Sequence, residues 1–186
     1  RGGLDMTQQQ KQPTCQDLVH DAWNSRKADI EGLLTSGRTS SHPDKARASR
    51  PWIFNRARGC LADLGYTTAQ ETLSDDEALE QAQVAFSEYG LALDYIDPNT
   101  FEDQREAYVC FQISWGGPSE EVRFFLNPDL SLHRAEFWLK DWFDGASVDI
   151  TLDEVTGLMC DWMDVSEVAR SAVRDVESDH PWSGSF

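Results

Sequence analysis

The stretch of the chain most suggestive of chemistry is EFWLKDWFDGASVDIT, Glu136 to Thr151. It places Asp141 and Asp144 in a D-x-x-D spacing just before Gly145, with Glu136 and His133 upstream and Asp149 downstream. Carboxylates grouped in this way could hold a divalent cation or share acid–base work, with His133 as a base. Each possibility has a geometric requirement. A calcium loop places oxygens at alternate positions around a sharp glycine turn, D-x-D-x-D-G, and the spacings here are three and five. Carboxylates at i and i+3 on a strand point to opposite faces. Glu136 and Asp144 share a face, but eight residues of extended chain separate them by about 26 Å. A carboxyl pair for glycoside hydrolysis needs about 5–9 Å. Asp144-Gly145 is at the same time a strong type I′ hairpin signal, and a turn is the expected use of it. Asp141 and Asp144 with His133 remain the catalytic candidates of an alternative, small-hydrolase reading.

Other signatures are missing from the sequence. There is no G-x-G-x-x-G, G-x-x-x-x-G-K-[ST], H-E-x-x-H or G-x-S-x-G. SWGGPS has two glycines in common with a phosphate loop, but strand patterns on both sides make it a hairpin connection in which Gly116 and Gly117 can take positive φ. Cys15, Cys60, Cys110 and Cys160 lie about fifty residues apart with no C-x-x-C pair, so neither a zinc ribbon nor a redox motif is expected. Buried free thiols are the expectation, with no metal and no cofactor.

The 186 residues carry a net charge of −17. The charge is unevenly spread: residues 1–60 have ten Lys/Arg against six Asp/Glu, and residues 61–186 have six against twenty-seven. So acidic a body repels phosphate backbones and membrane surfaces, and steers basic protein surfaces toward it. No apolar run approaches the 18 residues of a transmembrane helix. RGGLDMTQQQKQPT lacks the apolar stretch of a signal peptide, so a cytoplasmic location is expected.

The elements that must position these residues follow from periodicity. Residues 1–13 are expected to fray, followed by a single domain over 14–178 and a tail at 179–186. TCQD, Thr14 to Asp17, is a capping box for a helix with Leu18, Val19, Ala22, Trp23, Ile30, Leu33 and Leu34 as its apolar stripe. A mobile loop is expected from Thr35 to Ser49, and a second helix from Pro51 to a stop at Gly65. Arg38, Lys45, Arg47, Arg50, Arg56 and Arg58 form a basic cluster there, expected to be solvated or to pair with the acidic body. SDDE, Ser74 to Glu77, caps a third helix that ends at Gly90. From there the period changes to two: LALDYI, AYVCFQISW, EVRFFL, LHRAEFWLKDWF and ASVDIT read as strands with short connections. Thr151 with Glu154 is expected to cap a last helix, broken or kinked at Asp164 to Ser166. The expected fold is α+β, an antiparallel meander of four to five strands over about 91–150 with the helices on one face.

The strand through Glu136 to Phe143 is apolar on both sides, with Phe137, Leu139 and Phe143 alternating against Trp138 and Trp142. One side must pack on the helices. The other is either covered by more chain or left as a tryptophan patch among acids, the composition of an interface anchor.

At EYGLALDYIDPNTF, FQISWGGPSEEVRFF and EFWLKDWFDGA, about Glu88 to Ala146, the chain resembles small uncharacterised acidic proteins encoded on bacterial plasmids and other mobile elements. The resemblance implies no catalytic residue. It implies a setting in which small acidic proteins act as antirestriction or anti-CRISPR inhibitors on DNA-binding surfaces. The expected function is therefore non-enzymatic: an acidic interaction protein, in its sharpest form a DNA mimic, with a nuclease, CRISPR complex or toxin as basic partner. Its contact residues would be Trp138 and Trp142 together with Asp75, Asp76, Glu77, Glu80, Asp153, Glu154, Asp161 and Asp164. An immunity protein or antitoxin for a basic toxin is the alternative from the same interaction class.

Overall fold

The computed structural model describes residues 12–37, 60–66 and 74–178. Four helices and a five-stranded sheet account for most of them, in the order α1 (Cys15–Gly37), α2 (Asp75–Tyr89), β1 (Ala92–Ile96), β2 (Tyr108–Ser114), β3 (Ser119–Leu126), β4 (Leu132–Asp141), β5 (Asp144–Asp149), α3 (Glu154–Met163) and α4 (Val165–Ser178). The basic cluster from Arg38 to Arg58, most of the expected loop and the tail from residue 179 lie outside the described residues.

Local chemistry explains where the helices begin and end. Thr14 and Asp17 cap α1 reciprocally: the Thr14 amide and hydroxyl donate to Asp17 Oδ2 at 3.0 and 2.8 Å, and the Asp17 amide donates to Thr14 Oγ1 at 3.3 Å. The helix runs to Gly37, three residues into the stretch expected as loop. Cys60 to Asp63 is helical and stops at Gly65, whose φ of +81° closes the end through a Tyr66 amide bond to the Leu61 carbonyl. Ser74 and Glu77 form the capping box of α2. Gly90 follows α2 with a φ of −102°, so it is no left-handed cap. It is needed for space: a Cβ there would lie 2.1 Å from the Phe111 ring.

The strands form an antiparallel meander, β1-β2-β3-β4-β5. Strand alternation sends Val109, Phe111, Ile113, Val122, Phe124 and Phe137 to one side, where they merge with Val19, Ile30, Leu33, Val155 and Met159 of the helices into one core. The protein is thus an α+β fold with its helices on one sheet face. Asp164 adopts a left-handed φ of +46° and divides the last helical region into α3 and α4, at the expected break. The cap of α3 is corrected. Asp153, not Thr151, is its N-cap residue, because the Thr151 hydroxyl is held by the Ala135 amide and carbonyl of β4.

Helix α1 is fixed to the rest by carboxylates that the sheet and its loops supply. Asp144 accepts the Cys15 amide at 2.6 Å, satisfying a donor at the start of the helix. Asp153 accepts the Trp23 indole N–H at 2.6 Å and the Lys27 ammonium at 2.8 Å. Glu120 accepts the Arg26 guanidinium at 2.8 and 2.6 Å. Burial works against the Arg26 charge, but hydrogen bonds to Glu120 and Tyr89 outweigh it and hold its pKa above the ordinary value.

Trp23 is buried and packs on Phe137 at 5.3 Å, so its N–H cannot turn to water when its acceptor is lost. Asp153→Ala should therefore cost about 1–3 kcal/mol in urea unfolding. Glu154→Ala, one residue on and exposed, should stay within about 0.5 kcal/mol of the parent.

Candidate functional site

The expected turn at Asp144-Gly145 is displaced by two residues. Asp141 pairs with Asp144 and Lys140 with Gly145, so Trp142 and Phe143 are the centre of a two-residue turn and Asp144-Gly145 is strand. Trp142 has a φ of +50° and Phe143 does not have a positive φ, which matches a turn whose first central position favours glycine. Both rings face solvent: Trp142 is 88 % exposed and Phe143 104 %. The expectation that Phe143 shares the core face with Phe137 and Leu139 is therefore wrong. The chain turns before Phe143 can take that place.

The expected strand AYVCFQISW likewise stops short of its last residue, Trp115. That residue lies just past β2, outside the alternation of Val109, Phe111 and Ile113, and is 82 % exposed. Gly116 takes a φ of +130° while Gly117 does not take a positive one, so only the first of the two glycines is used for its backbone freedom. Gly117 is used for closeness. A Cβ on it would stand 3.0 Å from Asp141 Oδ1 and 3.3 Å from the Trp142 indole nitrogen. The β2–β3 and β4–β5 turns thus touch, and three exposed aromatic side chains occupy one end of the sheet.

The hydrolase candidates do not converge. His133 is the second residue of β4 and Asp141 the last, about 26 Å apart along the strand. Asp144 is occupied by the Cys15 amide. Among the described residues, no group of three or more His, Cys, Asp or Glu could hold a metal ion.

The expected acidic contact residues divide into three groups. Glu77 bonds to Ser74, Asp153 holds Trp23 and Lys27, and the Asp164 carboxylate accepts the Glu167 amide at the start of α4. These three work within the fold. Glu80, Glu154 and Asp161 are exposed. Asp75 and Asp76 lie in the first turn of α2, and their side chains are outside the described residues.

Trp138 has a different environment from Trp142. It is half-buried on the sheet face away from the helices, and none of the described helices packs there. Its indole N–H donates to Glu136 at 2.9 Å, and the Arg123 guanidinium lies over its ring at 4.2 Å and over Tyr108 at 4.8 Å. Arg134 lies over Phe125 at 4.0 Å. These side chains line a cavity of about 580 Å³, walled on one side by the β1–β2 connection. Arg105, Arg123, Arg134 and Lys140 all border it, four of the six cations found in residues 61–186. The i, i+2 spacing of Arg134, Glu136, Trp138 and Lys140 already put these four side chains on one face in the sequence. Their clustering with Arg123 and Arg105 needed the strand register.

Cys110 and Cys160 are held in the thiol form rather than as nucleophilic thiolates. Burial pushes Cys110 up to about 12, with Glu121 adding to it and Lys140 and Arg123 opposing. Burial, helped by Asp161, pushes Cys160 up to about 12 as well. No protein-family model, curated protein or solved structure matches the chain.

Both thiols titrate higher in the folded chain than the ordinary value of 9.0. Their contribution is thus complete below about pH 9 and is lost as pH rises toward 12, because the unfolded chain releases those protons first. The urea midpoint should fall over that interval, beginning below the tyrosine range. Cys110→Ala with Cys160→Ala should flatten the fall between pH 9 and 10. An unchanged slope in the double variant would contradict this assignment.

Proposed function

We propose that the protein is a non-enzymatic interaction protein that inserts the aromatic tip of its sheet into a basic partner surface. The observation that carries this is the Trp142–Phe143 turn. A left-handed backbone costs a bulky L-residue about 1–2 kcal/mol, and apart from the edge of the Trp142 indole beside Gly117 both rings stand in solvent. Fully exposed tryptophan and phenylalanine at a strained position serve something outside the fold. Tryptophan is also the residue most enriched among the anchors of protein interfaces.

The acidic body supports the choice of a basic partner, since a net charge of −17 speeds encounter with cationic surfaces and opposes nucleic acid and anionic lipid. Nucleases, CRISPR complexes and basic toxins all present such surfaces. An aromatic anchor with diffuse charge around it fits the geometry better than a phosphate-spaced stripe, because Glu77, Asp153 and Asp164 are engaged inside the fold.

Replacing the turn with the residues its backbone favours, Trp142→Gly with Phe143→Ser, tests the proposal in two ways. Stability should be unchanged or higher by about 1 kcal/mol, seen as a Tm rise of up to about 4 °C. Capture of basic proteins from a bacterial host at low salt should be lost, while the parent protein retains them and releases them as ionic strength approaches about 0.5 M. Equal capture by the variant, or capture indifferent to salt, would defeat the proposal.

A further inference from the structure

The cavity on the open sheet face has features that the aromatic tip does not account for. Its wall, residues 97–107, is held in shape by its own backbone bonds and by the Gln104 side chain: Oε1 accepts the amides of Thr100 and Phe101, and Nε2 donates to the carbonyls of Asp97 and Glu106. Glu106 then fastens the wall to the sheet by accepting Arg134 Nη2 at 2.6 Å. A loop organised in this way preserves the cavity in the absence of a ligand. Its volume of about 580 Å³ falls within the usual range for small-molecule sites.

Arg123 at its floor is a guanidinium with its plane set by two rings, Tyr108 and Trp138. Only its Nε is used, donating to Glu121 Oε1 at 2.6 Å. Its two terminal nitrogens make no hydrogen bond among the described residues. A planar fork with fixed orientation and unused parallel donors is the arrangement that grips an oxyanion bidentately. Lys140 adds a second positive charge beside it, since it shares the same nearly buried Glu121 carboxylate. Two cations share that one carboxylate, so positive charge is concentrated at the Arg123–Lys140 end, while Glu106 and Glu136 match Arg134 at the other. On the wall, Phe101 is 58 % exposed and Arg105 has no ion pair among the described residues. Glu102 and Asp103 on the same wall disfavour a polyanion, so the complementary ligand carries one anionic group.

We propose that this cavity binds a small organic oxyanion, a carboxylate or a phosphate ester, through the terminal nitrogens of Arg123 with Lys140 beside them and the apolar part of the ligand against Phe101. The proposal is independent of the partner reading of the hairpin tip.

Calorimetric titration with benzoate, phenyl phosphate and inorganic phosphate tests it on the full chain. Saturable binding by benzoate or phenyl phosphate is expected, and which of the two binds more tightly identifies the carboxylate or the phosphate source. Arg123→Gln should weaken that binding at least about tenfold. Phe101→Ala should weaken the ring-bearing probes and leave inorganic phosphate unchanged, and Arg170→Gln on α4 should change nothing. Circular dichroism establishes that each variant folds. Should Arg123→Gln fail to fold, Lys140→Gln decides, since its side chain is 38 % exposed and its loss should still weaken binding. Absence of saturable binding, equal affinity in the folded variants, or tighter binding of a single-stranded oligonucleotide than of either probe would overturn it.

Discussion

The fold depends on how α1 is tied to a strongly acidic sheet layer. Three carboxylates, Asp144, Asp153 and Glu120, reach α1 from β5, from the approach to α3 and from β3. Asp144 meets the Cys15 amide at the start of the helix, and about two to three turns on Asp153 meets the Trp23 and Lys27 pair while Glu120 meets Arg26. A body with so large an excess of acid resists compaction through self-repulsion. Placing three of its carboxylates on α1 donors turns part of that repulsion into cross-links between layers. Without them the apolar stripe of α1 would still seek the sheet, but nothing would fix its height or rotation over β4 and β5.

Because α1 and the other described helices gather on one side, the sheet is left two unlike faces. The helix side is a close-packed core of Val109, Phe111, Phe124 and Phe137. On the other side, aromatic rings lie under guanidinium groups, with Arg123 over Trp138 and Tyr108 and Arg134 over Phe125. That arrangement resolves the question raised by a strand that is apolar on both sides. Trp138 is neither under a described helix nor bare, because Arg123, held by Glu121, covers its ring and Glu136 takes its indole N–H.

The sequence conveyed the elements better than the turns. The capping boxes at Thr14 and Ser74, the five strands and the break at Asp164 were readable because each rests on contacts within a few residues or on a period of two or 3.6. The Trp142–Phe143 turn was not, because Asp144-Gly145 is the better local hairpin signal. Its displacement is decided by tertiary demand: Asp144 must stand where its carboxylate meets the Cys15 amide, a contact spanning 129 positions. The same shift put Phe143 in solvent. The cation cluster on the open face was half legible, since alternation aligns Arg134, Trp138 and Lys140, while Arg123 and Arg105 join through register and loop path.

The turn and the helix clamp are thus one device. Asp144 pairs with Asp141 to close the turn and also holds the first amide of α1, so the aromatic tip is braced from the strand side and the helix side together. Trp142 is braced further by the bare backbone of Gly117, which a side chain would push away. An anchor that is already rigid loses little conformational freedom on binding, and that cost is a large part of what opposes association. A flexible loop bearing the same two rings would present the same apolar area and bind less well. The positive φ at Trp142 and the long-range bond at Asp144 are two consequences of building the aromatic tip into the sheet.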